Sequence, residues 1–306
     1  MTKTEDFEEL RPLLFSIAYR ILGTVSEAED AVQETWVRYQ LSPTQPNSPR
    51  AFLSAALTRI SIDVLRSARV QREAYVGEWF PEPIITDPYD DPERATELAD
   101  SLAMAALLLL ERLTPLERAV FVLREVFGFG FSEIAAAVGR PEPACRQLAV
   151  RARRHMDEGR RRFQADQRER LELASRFFEA FREGKVAQLQ HFLAADVRLV
   201  GDSGGKAPQW RPIVGADDVA RTIGTLFPLF VDIGGTVTPE EVNGQPGAIF
   251  YDRDRKIVNT WSLDIVEGRI QTIRAVLNPE KLGHLGAVAD AGAVLSEARR
   301  ARRPRR

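Results

Sequence analysis

The chain has 306 residues, 44% of them hydrophobic and 28% charged, with a formal net charge of −2. That length supports two or three small domains, and the composition is that of a soluble globular protein rather than a disordered one. The longest apolar stretch, Leu102 to Leu110, is far too short to cross a bilayer. The opening MTKTEDFEEL is acidic and lacks the apolar core of a signal peptide. A single cysteine, Cys145, excludes an internal disulfide and any multi-cysteine metal site. Cytoplasmic localisation is expected, with neither metal nor cofactor.

Charge is distributed unevenly. From Arg140 to Arg162 eight arginines against three carboxylates leave +5, and from Arg50 to Arg72 five arginines against Asp63 leave +4. Between them, Glu78 to Asp100 carries eight carboxylates against Arg94, leaving −7. Two basic segments flanking an acidic one suggest separate contacts with nucleic acid.

Residues 7–72 read as helical. Leu10, Leu14, Ile17, Ala18 and Ile21 recur at helical spacing, and Gly23 ends that helix. Ser26, with Glu29 three residues on, is expected to open the next helix as a capping box. Leu41 to Arg50 is a loop rich in Pro, Ser and Asn, followed by a helix with Phe52, Leu53, Ala56, Leu57 and Ile60 on its apolar side. Residues 74–101 read as an acidic, extended linker because Pro81, Pro83, Pro88 and Pro92 oppose a long helix. Helix resumes at Leu102, and Thr114-Pro115-Leu116-Glu117 is a second capping box.

Beyond about residue 164 two helical patterns precede candidate strands at Val197–Val200, Val237–Val242, Ala248–Tyr251, Lys256–Val266 and Arg269–Leu277. Asn243-Gly244 and Glu267-Gly268 are hairpin-type turn signals. This is an α+β domain with a curved antiparallel sheet. The last stretch, 291–306, is basic towards its end and is expected to be disordered.

The strongest local signal is FSEIAAAVGRPEPACRQLAVRARRHM, from Phe131 to Met156. Ser132 is expected to cap a short helix, Gly139 to permit a tight turn, and Pro141 and Pro143 to set the start of a second helix, which is helix-turn-helix spacing. On that second helix Cys145, Leu148, Ala149 and Ala152 form an inward stripe, while Arg146, Gln147, Val150, Arg151, Arg153 and Arg154 face outward. Arg and Gln near such an N-terminus suit major-groove base edges, and later arginines suit phosphates.

LLFSIAYRILGTVSEAEDAVQETWVRY resembles sigma region two, and LTPLERAVFVLREVFGFGFSEIAAAVG with the helix-turn-helix resembles sigma region four. With nothing like the other sigma regions between them, the architecture resembles the extracytoplasmic-function group of RNA polymerase sigma factors. The resemblance implies that Asp30, Glu34 and Val37, on one helix face, meet the polymerase clamp. It implies that Arg140, Arg146, Gln147, Arg151, Arg153 and Arg154 contact the −35 element. Arg59, Arg66 and Arg69, roughly one stripe, would meet phosphates or the melted strand near −10. The loop Leu41 to Pro49 sits where such proteins capture a flipped base.

The second half narrows the resemblance. WFPEP (Trp79, Phe80, Pro81, Glu82, Pro83), DSGGK (Asp202, Ser203, Gly204, Gly205, Lys206) and NPEKL (Asn278, Pro279, Glu280, Lys281, Leu282) together are similar to the sigma-J-like subgroup, in which a SnoaL-like domain is fused to the sigma core. Ser203 stands where that subgroup has glycine, which matters if the position needs positive φ. The fold implied is multidomain: two all-α sigma domains (1–73 and 102–163, with the linker 74–101 between them), an α+β SnoaL/NTF2-like cone-shaped domain (164–290) and a basic tail (291–306).

An enzymatic reading of the last domain would draw on Asp196, Asp202, His191 or Trp210. Against it, His191 sits beside Gln188 and Gln190 in an amphipathic stretch, Asp202 and Lys206 suit a structural pair closing a glycine loop, and no nucleophile–base pair is visible. The expected partners are core polymerase, promoter DNA and the chain's own C-terminal domain, with a small ligand in the SnoaL-like cavity left open. The competing readings are a SnoaL-type enzyme and a ligand-sensing repressor, each with an attached helix-turn-helix. Trp79 and Phe80 need an apolar partner that removes them from water.

Overall fold

The computed structural model describes residues 2–159, 167–208 and 211–301; side chains are not described at 68–73, 158, 159 and 167. The chain divides into two compact units, Met1–Ala74 with Asp87–Arg160, and Tyr75–Thr86 with Arg161–Arg306. Residues 74–101 are therefore shared between the units. Among the described residues no helix is long and apolar enough to cross a membrane.

The first unit begins with three helices, α1 (Lys3–Leu22), α2 (Val25–Leu41) and α3 (Pro49–Glu73). Leu14, Ile17, Ala18, Ile21, Leu53 and Leu57 are all buried, so the apolar periodicity read from the sequence is the core. Gly23 closes α1 at φ 82°, a conformation that costs glycine little. The start of α2 differs from expectation. Thr24 rather than Ser26 is the N-cap, and its hydroxyl donates to Glu27 at 2.6 Å. The same acidic pattern, two residues earlier, serves the same helix end.

The acidic linker also differs from expectation, because helix resumes before Leu102. A 3-10 turn at Pro92–Arg94 leads into α4 (Ala95–Leu102). Asp91 accepts from the Glu93 amide at 3.2 Å, and Pro92 occupies the first turn, where proline starts a helix instead of breaking it. After α5 (Met104–Leu110), α6 (Pro115–Phe121) carries the expected Thr114/Glu117 capping box and continues through a π turn at Val122–Val126. The helix-turn-helix is α7 (Phe131–Val138) and α8 (Glu142–Gly159), joined through Gly139 at φ 64°. Gly130, not Ser132, is the N-cap of α7, and Glu133 reaches back to its amide at 2.9 Å.

Two fully buried arginines tie this unit together. Arg20 of α1 donates to Asp87 at 2.8 Å, to Ser101 at 2.7 Å and to the Leu98 and Ser16 carbonyls at 2.9 and 3.2 Å. Arg118 of α6 donates to the Arg20 carbonyl at 2.9 Å and pairs with Glu111. A guanidinium stripped of water persists only where it is paired and hydrogen-bonded, and Arg20 meets that condition with a carboxylate, a hydroxyl and two carbonyls.

In the second unit, α9 (Gln167–Arg182) and α10 (Val186–Phe192) precede β1 (Leu193–Asp202), β2 (Ile213–Val214), α11 (Ala216–Asp232), β3 (Thr236–Val242), β4 (Gln245–Tyr251), β5 (Ile257–Val266), β6 (Arg269–Val276) and α12 (Ala291–Ala301). The six strands form one sheet in the order β2-β1-β6-β5-β4-β3. Helical Phe177, Phe181 and Phe227 pack with Phe250, Trp261 and Ile273 of the sheet. Asn243-Gly244 (φ 54° and 63°) and Glu267-Gly268 (φ 50° and 70°) make the expected tight hairpins, with positive φ at both central residues.

Three features correct the sequence reading of this unit. The sheet is mixed, because β1 pairs with β6 in parallel; these strands are linked by a long connection through α11, not by a hairpin. α11 itself carries Pro228, which obscured it. The C-terminal stretch is α12 as far as Ala301, with Ala291 and Ala298 buried, Asp290 accepting from the Ala293 amide at 2.9 Å and Glu297 paired with Arg253. Residues 302–306 lie outside the described ones.

Asp87→Ala is expected to destabilise the first unit by about 3 kcal/mol, because it leaves one side of a buried guanidinium without its anion. Urea denaturation of the full chain checks this, and a midpoint equal to wild type would contradict it.

Candidate functional site

In the helix-turn-helix, α8 divides as its sequence implied. Cys145, Leu148, Ala149 and Ala152 are buried, whereas Arg146, Gln147, Val150, Arg151, Arg153 and Arg154 are exposed, as is Arg140 just before the helix. Burial pushes the Cys145 thiol up in pKa, with Glu142 adding to the shift. The outward arginines are held by local anions. Arg146 pairs with Glu142 at 3.0 Å and stacks over Phe131, Arg151 lies 3.5 Å from Glu117, and Arg153 pairs with Glu125 at 2.6 Å. The exposed Arg146–Glu142 pair is of a weak kind, so phosphates or base edges can displace the carboxylate.

In the helical bundle, Asp30, Glu34 and Val37 lie exposed on one face of α2, with Glu34 paired to Arg38 at 2.7 Å. On α3, Arg66 is exposed beside Asp63 at 3.2 Å, and the Arg69 side chain lies outside the described residues. Arg59 is used differently: its Nε donates to the Ala137 carbonyl at 3.1 Å and Nη2 to that of Ala136. No motif pointed to Lys3, whose ammonium donates to the carbonyls of Tyr39 at 2.8 Å and Ser42 at 2.5 Å, fixing the start of the loop after α2.

The second unit brings WFPEP, DSGGK and NPEKL to one place. Asp202 ends β1 fully buried, and Lys281 lies on the 3-10 turn Pro279–Lys281; their side chains pair at 2.6 Å. Between them they hold a single residue of the linker. The Phe80 amide donates to Asp202 Oδ2 at 2.8 Å, and the Phe80 carbonyl accepts from Lys281 Nζ. The lysine also lies over the rings of Trp79 (4.3 Å) and Tyr75 (4.7 Å), so Trp79 is met by a cation where an apolar partner was expected. Phe80 is the buried apolar anchor, with Pro81, Pro83 and Leu282 also buried.

Three residues the sequence did not single out complete the clamp. The Tyr75 hydroxyl donates to Asp202 Oδ1 at 2.5 Å and accepts from Asn278 Nδ2 at 2.8 Å. Burial, then the hydrogen bond and charge of Asp202, raise the Tyr75 pKa above the ordinary tyrosine value. Asn243, read only as a turn residue, exchanges two bonds with Ile84, its amide donating to the Ile84 carbonyl at 2.8 Å and its Oδ1 accepting from the Ile84 amide at 3.3 Å. His284 Nε2 donates to the Pro83 carbonyl at 2.7 Å.

The glycine loop has a steric reason. A Cβ on Gly204 would meet Asn278 Nδ2 at 2.4 Å and the Tyr75 hydroxyl at 2.8 Å, and Gly204 and Gly205 have φ of 56° and 71°. Ser203 is not among the residues with positive φ, so serine pays no backbone cost there. The pairing of Asp202 with Lys206 suggested by spacing is not formed. Lys206 pairs instead with Glu280, so each motif's charge is answered by the other motif. Pro279 occupies the first turn after Asn278, whose Oδ1 caps it by accepting from the Glu280 amide at 3.1 Å.

The residues of the enzymatic reading are not brought together. His191 donates from Nδ1 to Ala187 O at 2.7 Å in its own helix, Asp196 accepts from Gln271 at 2.8 Å, Asp202 is in the clamp, and Trp210 lies outside the described residues. Among the described residues there is no group of three His, Cys, Asp or Glu that could hold a metal ion.

A helical bundle with a basic-faced helix-turn-helix, followed in the chain by an α+β domain, is the make-up of a DNA-binding transcription factor. Known proteins make the class specific. The family model described as Sigma-70 region 2 matches residues 7–70, and that described as Sigma-70, region 4 matches residues 103–156. The ECF RNA polymerase sigma factor SigJ of Mycobacterium tuberculosis is 36% identical over 289 residues, covering 91% of this chain and 93% of its own. A second M. tuberculosis protein, described as Probable ECF RNA polymerase sigma factor SigI, is 31% identical over 285 residues, covering 92% and 95%. The crystal structure of M. tuberculosis SigJ matches with a TM-score of 0.71 at 32% identity, covering 92% of this chain and 98% of that one. The chain belongs to the extracytoplasmic-function sigma factors of RNA polymerase. It is a transcription initiation factor that binds core polymerase and promoter DNA, not an enzyme.

Asp202→Asn is expected to free the Phe80 amide, raising its hydrogen-exchange rate on the order of a hundredfold, the scale of breaking a buried ion pair. The clamp also has a pH limit. A tyrosine pKa raised on folding contributes stability that is complete below the ordinary value of about 10 and is lost as pH rises through the folded value. Protection of residues 75–86 is thus expected to fall above about pH 10 in wild type, and Tyr75→Phe is expected to lack that component of the fall.

Proposed function

We propose that α8 reads the −35 element, with Arg146, Gln147 and Arg151 at base edges and Arg140, Arg153 and Arg154 at phosphates. Asp30, Glu34 and Val37 dock on the polymerase clamp. Arg59, Arg66 and Arg69 meet the strand near −10, and the loop after α2 captures a flipped base there. Exposure of the α2 face and the outer α8 face supports these roles. The protein acts in the cytoplasm, where core polymerase is.

The C-terminal domain regulates the chain by holding residues 75–86. The observation that carries this reading is the Phe80 peptide unit, bound at both its N–H and its C=O by the buried Asp202–Lys281 pair. This segment joins the two sigma regions, and its acidic continuation from Asp87 to Asp100 suits a polymerase channel built for nucleic acid. Polymerase and the C-terminal domain then compete for one stretch of backbone, a two-state balance. Pro279, Lys281 and Leu282 set the domain's grip, and Gly204 and Gly205 give the linker room to approach.

Two experiments test the assignments. Arg146→Ala, Gln147→Ala and Arg151→Ala are each expected to cost about 1–3 kcal/mol of promoter affinity and to relax one position of the −35 element. Wild-type promoter transcription by all three variants would contradict the mapping. Reversing Asp30 and Glu34 together is expected to weaken pull-down of core polymerase without changing the circular dichroism spectrum; a normal pull-down would place docking on another face.

A further inference from the structure

The last turn of α2 is completed from outside its own stretch of chain. Its final carbonyls have no partner within the helix and carry partial negative charge. Many helices meet that need locally, with a left-handed glycine just past the end. Here the residue after Leu41 is Ser42, in extended conformation at φ −69° and ψ 131°, and Pro43 follows. The need is met by Lys3, at the start of α1. Its Nζ donates to the carbonyls of Tyr39 at 2.8 Å, Ser42 at 2.5 Å and, at the outer limit of a hydrogen bond, Gln40 at 3.5 Å. An ammonium has three protons to donate, and three carbonyls gather round this one. The same group lies 5.1 Å over the Tyr39 ring, and that buried ring packs at 5.8 Å on Phe52 of α3. Three helices thus meet at the base of the loop.

The loop beyond has little of its own to hold it. Among the described residues, the chain from Pro43 to Asn47 makes one hydrogen bond, from the Thr44 amide to Ser42 Oγ at 3.2 Å. Its path is therefore set at its two ends. At one end the Ser48 hydroxyl accepts from the Ala51 amide at 3.2 Å, and at the other Ser42 is held by Lys3. Leu41, between two of the held carbonyls, is 81% exposed, the most exposed large apolar side chain among the described residues. Burial is what a leucine contributes to a fold, and Leu41 contributes almost none. An unstacked base offers such a side chain an apolar face.

We propose that Lys3 is a positioning residue for promoter recognition: by gathering the three carbonyls it sets the direction in which the chain leaves α2, and so holds Leu41 and residues 43–47 ready for the flipped base. This rests on the reading that the loop after α2 captures that base. The charge of Lys3 is answered inside the protein, so the lysine acts through the loop and not as a phosphate contact.

The test uses the full-length chain in holoenzyme, on DNA already mispaired around −10 so that strand opening does not enter. Each −10 position is varied through the four bases, and the ratio of affinities is the preference. Lys3→Met keeps the stem of the side chain and removes its donors, whereas Lys3→Arg keeps donors in place. Lys3→Met is expected to leave the circular dichroism spectrum, core binding and the salt dependence of DNA binding as in wild type. It is expected to lower the preference at one −10 position about tenfold, the scale of a single base contact. Lys3→Arg is expected to recover most of that preference, because a guanidinium also donates to several carbonyls. Unchanged preference in Lys3→Met, or no recovery in Lys3→Arg, overturns the proposal. So does an equal loss for all four bases with a shallower salt dependence, the mark of a phosphate contact. A chain carrying Thr44→Ala, Gln45→Ala and Asn47→Ala together separates the two readings. If it keeps the wild-type preference, the loop does not read the base; if it loses preference while Lys3→Met keeps it, the loop reading stands and the role of Lys3 falls.

Discussion

The buried pair of Asp202 and Lys281 gives residues 75–86 a structure. An ion pair taken out of water is costly unless its remaining hydrogen-bonding capacity is met. Here the linker meets it: the Phe80 amide and the Tyr75 hydroxyl go to the carboxylate, and the Phe80 carbonyl goes to the ammonium. The dependence is mutual. Without the linker the pair would be buried and underbonded, and without the pair a proline-rich segment with no helix or strand of its own would have little to hold it. That mutual dependence makes the site suited to a switch, since either side released leaves the other unsatisfied.

The same logic recurs in the first unit with arginine. Arg20 and Arg118 are buried and bonded to carbonyls, serines and carboxylates from α1, α4, the end of α5 and the segment at Asp87. Hydrophobic packing gives each helical bundle its core, but these polar contacts determine which bundles meet. A polar interface can be exchanged for polymerase and DNA, which offer carboxylates, carbonyls and phosphates of their own.

Much of this was legible in the sequence where the signal is local. The helix-turn-helix follows from Gly139 and the stripe of Cys145, Leu148, Ala149 and Ala152, and the hairpins follow from Asn243-Gly244 and Glu267-Gly268, because each depends on a few neighbouring residues. The three motifs of the clamp were visible as motifs, but their pairing was not. Asp202 and Lys206 are close in sequence, yet each is neutralised by the segment at 280–281, and spacing holds no trace of a partner some 75 residues away. α4 was hidden by a proline that starts it, α11 by one inside it, and α12 by arginines that sit on its solvent face. Arg59 was read as part of a basic stripe, and no periodicity shows that helix-end carbonyls will meet it.

The C-terminal domain's hold on the linker regulates the chain only if it opposes polymerase. The most direct measurement is the equilibrium affinity of the full-length chain for core polymerase, wild type against a chain carrying Asp202→Asn and Lys281→Met, with folding checked by circular dichroism. If the clamp and polymerase compete for residues 75–86, the altered chain binds core more tightly, by about tenfold for each 1.4 kcal/mol of clamp energy released. Equal or weaker binding by the folded double variant would contradict the account.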